Sequence, residues 1–329
     1  MKLGINGMGR IGRTFFRVLW QNKALEQLKV INDIMPKTHL IYLLQYDTVR
    51  GNLGVKINET AGGIEVNGHT IEVHQHDRPE NIPWGKAQVD TVVEATGIFT
   101  KKADLEAHLR AGVKRCLLTT SGGTDIPLYI EGVNEADYQK EKIFSIGSCT
   151  VNGTAPLVKA LQDFSPRSLY VNVIHAYSSR QNILDSYYPE LRRTRAAADN
   201  IIPLHINLDL SLQRLFPGMK DHISSITSRV PVPCGVLADM TFMLATPPAS
   251  SAQMVEHLKQ KQQQMARIMQ VTHDPIVSSD IINDPHSLTI DGEFVQVMDN
   301  HVKLMVWFDN EWGFSNRLYD WSNRLNNIE

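Results

Sequence analysis

The chain has 329 residues, of which 42% are apolar and 21% charged, as in a globular protein large enough for two domains. Its 33 basic and 35 acidic residues leave a formal net charge of −2, which argues against nucleic acid or an anionic membrane as a partner. No apolar run could span a bilayer, and no signal segment precedes the first predicted strand, so we expect a cytoplasmic protein. Three widely spaced cysteines (Cys116, Cys149, Cys234) form neither a disulfide framework nor a metal site.

The first predicted strand, Lys2 to Asn6, runs into a glycine-rich turn with the spacing GxGxxG, and a helical pattern follows. In this context Gly7 permits a tight turn, and Gly9 lets the backbone approach a pyrophosphate. Gly12 lets the helix pack closely on the strand, and the helix N-terminus faces the phosphates. The pattern predicts a dinucleotide-binding fold.

A carboxylate ends the second predicted strand, Leu28 to Ile31, at Asn32-Asp33. Asp33 lies about 20 residues past the last glycine, where an acidic side chain binds the adenosine ribose diol. The same carboxylate repels the 2′-phosphate of NADP. Asp33 therefore predicts NAD as the cofactor.

Two more strands, Asp90 to Ala95 and Arg115 to Thr119, alternate with helical segments. Alternating strands and helices predict a doubly wound parallel sheet, a Rossmann-type α/β domain. The turns that follow these strands point at the cofactor crevice of such a sheet. We therefore expect Thr96, Gly97 and Thr119 to contact the dinucleotide.

The pattern changes in the second half of the chain. Leu169 to His175 alternates in polarity, and strand-like runs recur at Val236–Thr246 and Phe294–Phe308, with a helix at about Ser251 to Met269. These elements predict an α+β domain whose antiparallel sheet carries helices on one face.

Cys149 stands between a strand end and a predicted helix from about Val151 to Phe164. Near a helix N-terminus, unpaired backbone N–H groups favour negative charge, so we expect a lowered pKa and a thiol that is partly ionised near neutral pH. The alternative is that Cys149 is a small buried apolar residue.

A thiolate nucleophile needs a base, and His175 at the end of the first strand of the second domain is the candidate. The alternative is a structural histidine. Downstream, Arg192, Arg193, Arg195 and Arg229 offer guanidinium groups that grip phosphate bidentately. The alternative for the arginine cluster is a solvated face or a subunit contact.

Taken together, these stretches resemble the phosphorylating glyceraldehyde-3-phosphate dehydrogenase family, which also contains the erythrose-4-phosphate dehydrogenases. The resemblance covers the whole chain. The stretches that carry it are Ile5–Arg13, Gln45–Thr48, Glu94–Phe99, Ser148–Asn152, His175–Tyr177, Leu191–Ala197, Arg229–Pro231 and Asp309–Gly313.

The resemblance implies an NAD-binding Rossmann domain at residues 1–148, a catalytic α+β domain at 149–310, and a C-terminal helix (about 311–329) that folds back onto the first domain. It implies a thiohemiacetal between Cys149 and a sugar-phosphate aldehyde, with His175 as base. His175 Nε2 and the backbone N–H of Cys149 hold the oxyanion. Hydride passes to NAD, and phosphate or water attacks the thioester. It also implies a homotetramer.

The family's sites carry over to matching positions of this sequence. By this correspondence, the substrate phosphate is bound by Ser178, Arg195 and Arg229, and Arg180 adds a positive charge that the family lacks there. The attacking phosphate is bound by Ser148 and Thr150. The cofactor contacts extend to Arg10, Ile11, Arg78 and Asn310, the last of these on the nicotinamide amide. No metal is implied.

Departures from the family concern the acyl acceptor. The Thr-Thr-Gly stretch expected after Pro203 is replaced by Leu204 to Asn207, which removes a hydroxyl donor. The segments Asp185–Arg195 and Asn283–Ser287 look more like erythrose-4-phosphate dehydrogenase, in which water can be the acceptor. Three hypotheses remain open: a phosphorylating glyceraldehyde-3-phosphate dehydrogenase, an erythrose-4-phosphate dehydrogenase that uses water, and a paralogue kept for binding.

Overall fold

The computed structural model describes residues 1–328, which divide into two compact units. Unit 1 comprises residues 1–129, 136–148 and the segment from Ser315 onward, and unit 2 comprises Ile130–Glu135 and Cys149–Phe314. Within residues 1–328, no helix combines the length and apolar character needed to cross a membrane.

Up to Ser145, unit 1 combines three helices with ten strands. Its helices are α1 (Arg10–Gln21), α2 (Lys37–Gln45) and α3 (Lys102–Arg110). Its strands are β1 (Leu3–Asn6), β2 (Leu28–Asn32), β3 (Tyr46–Asp47), β4 (Gly51–Asn52), β5 (Ile57–Thr60), β6 (Gly63–Val66), β7 (His69–His74), β8 (Thr91–Glu94), β9 (Arg115–Leu118) and β10 (Ile143–Ser145).

The main sheet of unit 1 has eight strands in the order β10-β9-β8-β1-β2-β7-β6-β5. The strands from β10 to β7 pair in parallel, and β5 and β6 extend the edge as antiparallel strands. All residues of β1 and β8 are buried, as in parallel strands covered on both faces. The predicted Rossmann-type fold is confirmed.

Unit 2 begins with a helix and continues as a sheet. Its helices are α4 (Cys149–Ala160), α5 (Leu208–Leu215), α6 (Ser251–Gln264) and the start of α7 (Trp312–Ile328). Its strands are β11 (Pro166–Ala176), β12 (Ile202–His205), β13 (Ile223–Val230), β14 (Val236–Leu244), β15 (Met269–Thr272), β16 (Leu288–Asp291), β17 (Gln296–Met298) and β18 (His301–Phe308).

The strand order in unit 2 is β12-β13-β11-β14-β18-β16-β15, with β17 beside β18. Most neighbours are antiparallel, which confirms the predicted class, and the pairs β11–β13 and β15–β16 are parallel. Residues along β14 alternate between buried and half-buried, so one face of this strand belongs to the core.

Three predicted helix boundaries are wrong, and one of them is the end of α4, which lies at Ala160 instead of Phe164 because a separate 3₁₀ turn spans Gln162–Phe164. Helix α4 begins at Cys149 instead of Val151, because Gly147 turns the chain with a φ of 76° and lets it become helical directly after Ser148. Helix α6 ends at Gln264 instead of Met269. Met269 is fully buried and pairs with Leu288 in the sheet, so tertiary packing overrides the helical pattern there.

Candidate active site and dinucleotide crevice

A crevice of about 890 Å³ opens in unit 1 where β1, β2 and β8 end. Crevices at the carboxyl ends of parallel strands are the usual ligand sites of doubly wound sheets. Five of the residues predicted to bind the cofactor line it: Gly7, Gly9, Asp33, Arg78 and Thr96.

The three glycines differ in what surrounds them. Gly7 has a φ of 96°, and a Cβ there would lie 2.6 Å from the Thr96 nitrogen. A Cβ on Gly12 would lie 2.1 Å from the Gly7 oxygen, whereas a Cβ on Gly9 would meet nothing within 4 Å. Gly7 and Gly12 are thus required by the fold itself. The space at Gly9 fits a ligand that approaches the backbone, as the pyrophosphate of a dinucleotide does.

Asp33 lies on the crevice wall and is tied to the glycine loop. Its Oδ2 accepts a hydrogen bond from the Met8 nitrogen at 2.5 Å, and its Oδ1 accepts one from the Met35 nitrogen at 2.9 Å. These two bonds fix the carboxylate at the end of β2.

The other predicted cofactor residues of unit 1 are not among those that line the crevice. Arg10 forms an ion pair with Asp47, and the Thr119 hydroxyl donates to the Glu94 carbonyl at 2.9 Å. Ile11 belongs to α1, and Gly97 follows Thr96 in the turn after β8.

Sequence reasoning assigned no role to four buried polar residues next to this crevice: Asn6, Asn32, Glu94 and His108. The signal was present, because Asn6, Asn32 and Glu94 are the last residues of β1, β2 and β8. A buried polar side chain at the carboxyl end of a parallel strand is placed where ligands bind.

The second group of predicted residues lies in unit 2, around Cys149. The distance from Cys149 Sγ to His175 Nε2 is 3.9 Å, and Thr150 Oγ1 lies 3.8 Å from the same sulfur. His175 Nδ1 is 2.7 Å from the Ala176 carbonyl oxygen, which only accepts, so Nδ1 carries the hydrogen. The lone pair of Nε2 therefore faces the thiol.

Burial lowers the pKa of His175 to about 3, and the positive charge of Arg229 adds to the lowering. The imidazole is therefore neutral at neutral pH and free to accept a proton. Burial also raises the pKa of the Cys149 thiol, and this exceeds the opposite effects of the Thr150 hydroxyl and Arg229. The lowered pKa that we predicted from the helix N-terminus alone is wrong for the ligand-free protein, since desolvation of the sulfur has the larger effect.

Adjacent strands place Arg229 beside His175. The two residues are register partners on β11 and β13, and Arg229 Nη1 donates to the same Ala176 carbonyl at 2.9 Å. Burial lowers the pKa of Arg229 to about 10, and the nearby charges of Arg193 and Arg180 act in the same direction. Arg229 nevertheless stays a cation at neutral pH, next to the thiol and the imidazole.

The structure does not bring Arg195 to this group. Arg195 is exposed, and its Nε lies 3.2 Å from Asp185 Oδ1. Arg193 and Arg180 are the loop arginines whose charges act on Arg229, and Arg193 Nη1 donates to the Arg180 carbonyl at 3.3 Å. Within the same loop the Ser178 hydroxyl accepts the Arg180 N–H at 3.4 Å.

Ser148 is the half-buried residue directly before Cys149. Asn310 Oδ1 accepts the Gly235 N–H at 3.3 Å. One turn along α4 from the nucleophile, a Cβ on Gly153 would lie 2.6 Å from the ring of Phe308, so α4 packs directly on β18. Among residues 1–328, no group of three or more His, Cys, Asp or Glu side chains is arranged to hold a metal ion.

Comparisons with known proteins match both parts of the chain to one family. Residues 1–102 match the family described as "Glyceraldehyde 3-phosphate dehydrogenase, NAD binding domain", and residues 148–310 match "Glyceraldehyde 3-phosphate dehydrogenase, C-terminal domain". The chain is 40% identical over 324 residues to glyceraldehyde-3-phosphate dehydrogenase 2 of Streptomyces avermitilis. It is 38% identical over 325 residues to glyceraldehyde-3-phosphate dehydrogenase of Streptomyces coelicolor, and each match covers 97% of both chains. The protein therefore belongs to the glyceraldehyde-3-phosphate dehydrogenase family and is an NAD-dependent dehydrogenase.

Proposed function

We propose that the protein oxidises glyceraldehyde 3-phosphate through a covalent intermediate on Cys149, with inorganic phosphate as the acyl acceptor. The observation that carries the proposal is the 3.9 Å approach of Cys149 Sγ to His175 Nε2, with the Nε2 lone pair facing the sulfur. The names of the matching relatives support this substrate.

In the proposed reaction Cys149 Sγ attacks the aldehyde carbon while His175 Nε2 takes the thiol proton and returns it to the carbonyl oxygen. The raised pKa of Cys149 makes this transfer necessary, because the thiol keeps its proton in the ligand-free protein. His175 next takes the hydroxyl proton of the thiohemiacetal as the carbon is oxidised to the thioester. NAD supplies the hydride acceptor when it is bound. Phosphate then attacks the thioester carbon, and the carbon–sulfur bond breaks to release the acyl phosphate. The Cys149 sulfur leaves as a thiolate and takes back the proton that His175 holds, and the phosphate proton passes to solvent.

We place the substrate phosphate against Arg229, with Ser178 and Arg180 on the loop that follows β11. Arg229 is a partly buried cation on the strand next to His175, where a phosphate would reach it with the aldehyde near Cys149. Ser148 and Thr150, on either side of the nucleophile, are our candidates for the attacking phosphate, and Asn310 is our candidate for the nicotinamide amide. In the first unit we place NAD in the crevice at Gly9 and Asp33.

A second candidate is erythrose 4-phosphate as substrate with water as acceptor. The observation that favours it is at β12, where Leu204 is buried and pairs with Thr227 in place of a hydroxyl-bearing stretch. The site then has fewer donors for an attacking phosphate.

Steady-state assays separate the candidates. We expect NADH formation to be faster with glyceraldehyde 3-phosphate than with erythrose 4-phosphate, and to require inorganic phosphate. Turnover independent of phosphate would support water as the acceptor and contradict the first proposal. If neither aldehyde gives NADH, and iodoacetamide modifies Cys149 no faster than the buried Cys116 and Cys234, the binding paralogue is the correct interpretation.

A homotetramer is part of the proposal. Large apolar side chains stand exposed in the loop before β12, among them Leu184 (75%), Tyr187 (86%) and Leu191 (83%), as is typical of surface that a partner covers. Light scattering after size exclusion tests the assembly state, and a monomer at assay concentration would contradict it. The cytoplasmic location stays a prediction, and cell fractionation tests it.

A further inference from the structure

A buried carboxylate in unit 1, that of Glu94, collects hydrogen bonds from three segments of the chain. Its Oε2 accepts from Asn6 Nδ2 at 2.6 Å and from His108 Nε2 at 2.9 Å. Its Oε1 accepts from both the nitrogen and the hydroxyl of Thr96. Asn6, Glu94 and His108 are each 1% exposed or less, so solvent does not satisfy these groups.

The side chains of Asn6 and His108 both point a hydrogen toward Glu94. Trp84 Nε1 is only a donor, and it lies 3.0 Å from His108 Nδ1, so the hydrogen of His108 is on Nε2. Asn32 Nδ2 donates to Asn6 Oδ1 at 2.8 Å, which fixes the Asn6 amide with its Nδ2 toward the carboxylate. Such a network specifies one geometry because every member has a set donor or acceptor role.

The network reaches the crevice at four strand ends. Asn6 ends β1 directly before Gly7, and Thr96 follows β8 and packs against Gly7. Asn32 ends β2 and exchanges hydrogen bonds with the backbone of His76, which follows β7. Asn6, Asn32, His76 and Thr96 all line the crevice, whereas Glu94, His108 and Trp84 lie behind it.

We propose, on the basis that this crevice holds NAD, that Glu94 and His108 are positioning residues for the dinucleotide. They act through Asn6 and Thr96, which hold the glycine loop from two sides. Cys149 and His175 take no part in this network. Loss of the network should therefore weaken NAD binding and leave turnover at saturating NAD almost unchanged.

Glu94→Gln is the main test, because the amide keeps the size of the side chain but turns one acceptor into a donor. Either placement of its nitrogen faces two existing donors. We expect the Kd for NAD, measured by calorimetry on the intact protein, and the KM for NAD to rise about tenfold. We expect kcat and the KM for the aldehyde to change less than about twofold, since transition-state contacts are untouched.

Asp291→Asn is the matched control for stability. Asp291 is also a buried carboxylate, and it accepts from Trp307 Nε1 at 3.1 Å in unit 2. We expect this variant to lower the thermal midpoint and leave the Kd for NAD unchanged. An unchanged Kd in Glu94→Gln, or an equal rise in Asp291→Asn, would overturn the positioning role.

A milder pair covers the case in which Glu94→Gln does not fold. Trp84→Phe removes the donor that fixes the His108 hydrogen, and Trp321→Phe removes a buried indole whose Nε1 has no hydrogen-bond partner within residues 1–328. We expect about a threefold rise in the Kd for NAD in the first and none in the second. Equal values in the two variants would count against the network.

Gly9→Ala tests the crevice itself, since its Cβ would enter open space and leave the fold intact. If it raises the Kd for NAD while Glu94→Gln does not, only the positioning role fails. If it leaves the Kd unchanged, the crevice is not the NAD site and the proposed function fails there.

Discussion

The dinucleotide crevice and the arginine loop after β11 differ in what fixes their side chains. Around the crevice, backbone contact leaves no room for a side chain at Gly7 or Gly12, and buried hydrogen bonds hold Asn6 and Glu94. In the loop, long side chains pair with carboxylates of the same loop: the exposed Arg195 pairs with Asp185, and the half-buried Arg193 pairs with Glu190. Backbone requirements leave a strict sequence pattern, whereas the direction of an exposed arginine leaves none.

The largest expected effect is on turnover, and it distinguishes the Cys149 site from the dinucleotide crevice. Cys149→Ser should lower dehydrogenase turnover at least about a thousandfold, because a hydroxyl is a far weaker nucleophile and the groups around it act as a unit. Cys149 is not among the residues that line the crevice, so the Kd for NAD should stay the same. Stopped-flow assays and calorimetry measure the two quantities. Residual turnover near that of the parent would remove Cys149 from its proposed role.

The next effect distinguishes a partly buried arginine from an exposed one. Arg229→Met should raise the KM for the sugar phosphate about a hundredfold, because a partly buried charged donor next to His175 is lost. Arg195→Met should raise it only about threefold, since Arg195 is exposed and pairs with Asp185. Arg192→Met is the control, because Arg192 is also exposed. Equal effects at Arg195 and Arg229 would mean that the loop closes on the substrate.

The pH dependence of stability reports on the buried imidazole. His175 has a pKa of about 3 in the folded protein against an ordinary value of 6.5. Below pH 6.5 His175 binds a proton in the unfolded protein, whereas in the folded protein it stays neutral down to about pH 3. The free energy of unfolding therefore falls as the pH is lowered from 6.5 toward 3. The loss is at most about 1.4 kcal/mol per pH unit. Urea unfolding of the parent and His175→Asn at several pH values should show a shallower decline in the variant. Parallel curves would contradict a neutral buried His175.

The smallest expected effect concerns cofactor choice in the crevice. Asp33→Ala should lower the preference for NAD over NADP about fivefold, because the carboxylate no longer repels a 2′-phosphate. Asp104→Ala removes another carboxylate of the crevice wall and should leave the ratio unchanged. The ratio of kcat/KM for the two cofactors is the measurement. Equal shifts in both variants would show that overall charge sets the preference.

The difference between features set by the backbone and exposed side chains explains how much of the fold and the site could be predicted from the sequence. The Rossmann-type unit, its glycine turn and the position of Asp33 followed from spacing, because each depends on backbone geometry. The Cys149–His175 approach followed from the chemistry that a thiol nucleophile needs. The direction of the pKa change at Cys149 did not follow, since it depends on burial by residues distant in sequence. The partners of Arg195 and the role of Arg193 did not follow either, because each guanidinium has several carboxylates within reach of its loop.

Gly153 is a position without functional groups that bears on the proposed reaction at Cys149. A helix rises 1.5 Å per residue, so Gly153 lies about 6 Å along α4 from Cys149, where the helix touches the ring of Phe308. Any side chain there would lift α4 from β18 and carry the sulfur away from His175. In a survey of all substitutions, Gly153 would therefore tolerate as little change as Cys149. Mutational intolerance in this protein will mark the space that the active site requires as well as the atoms that react.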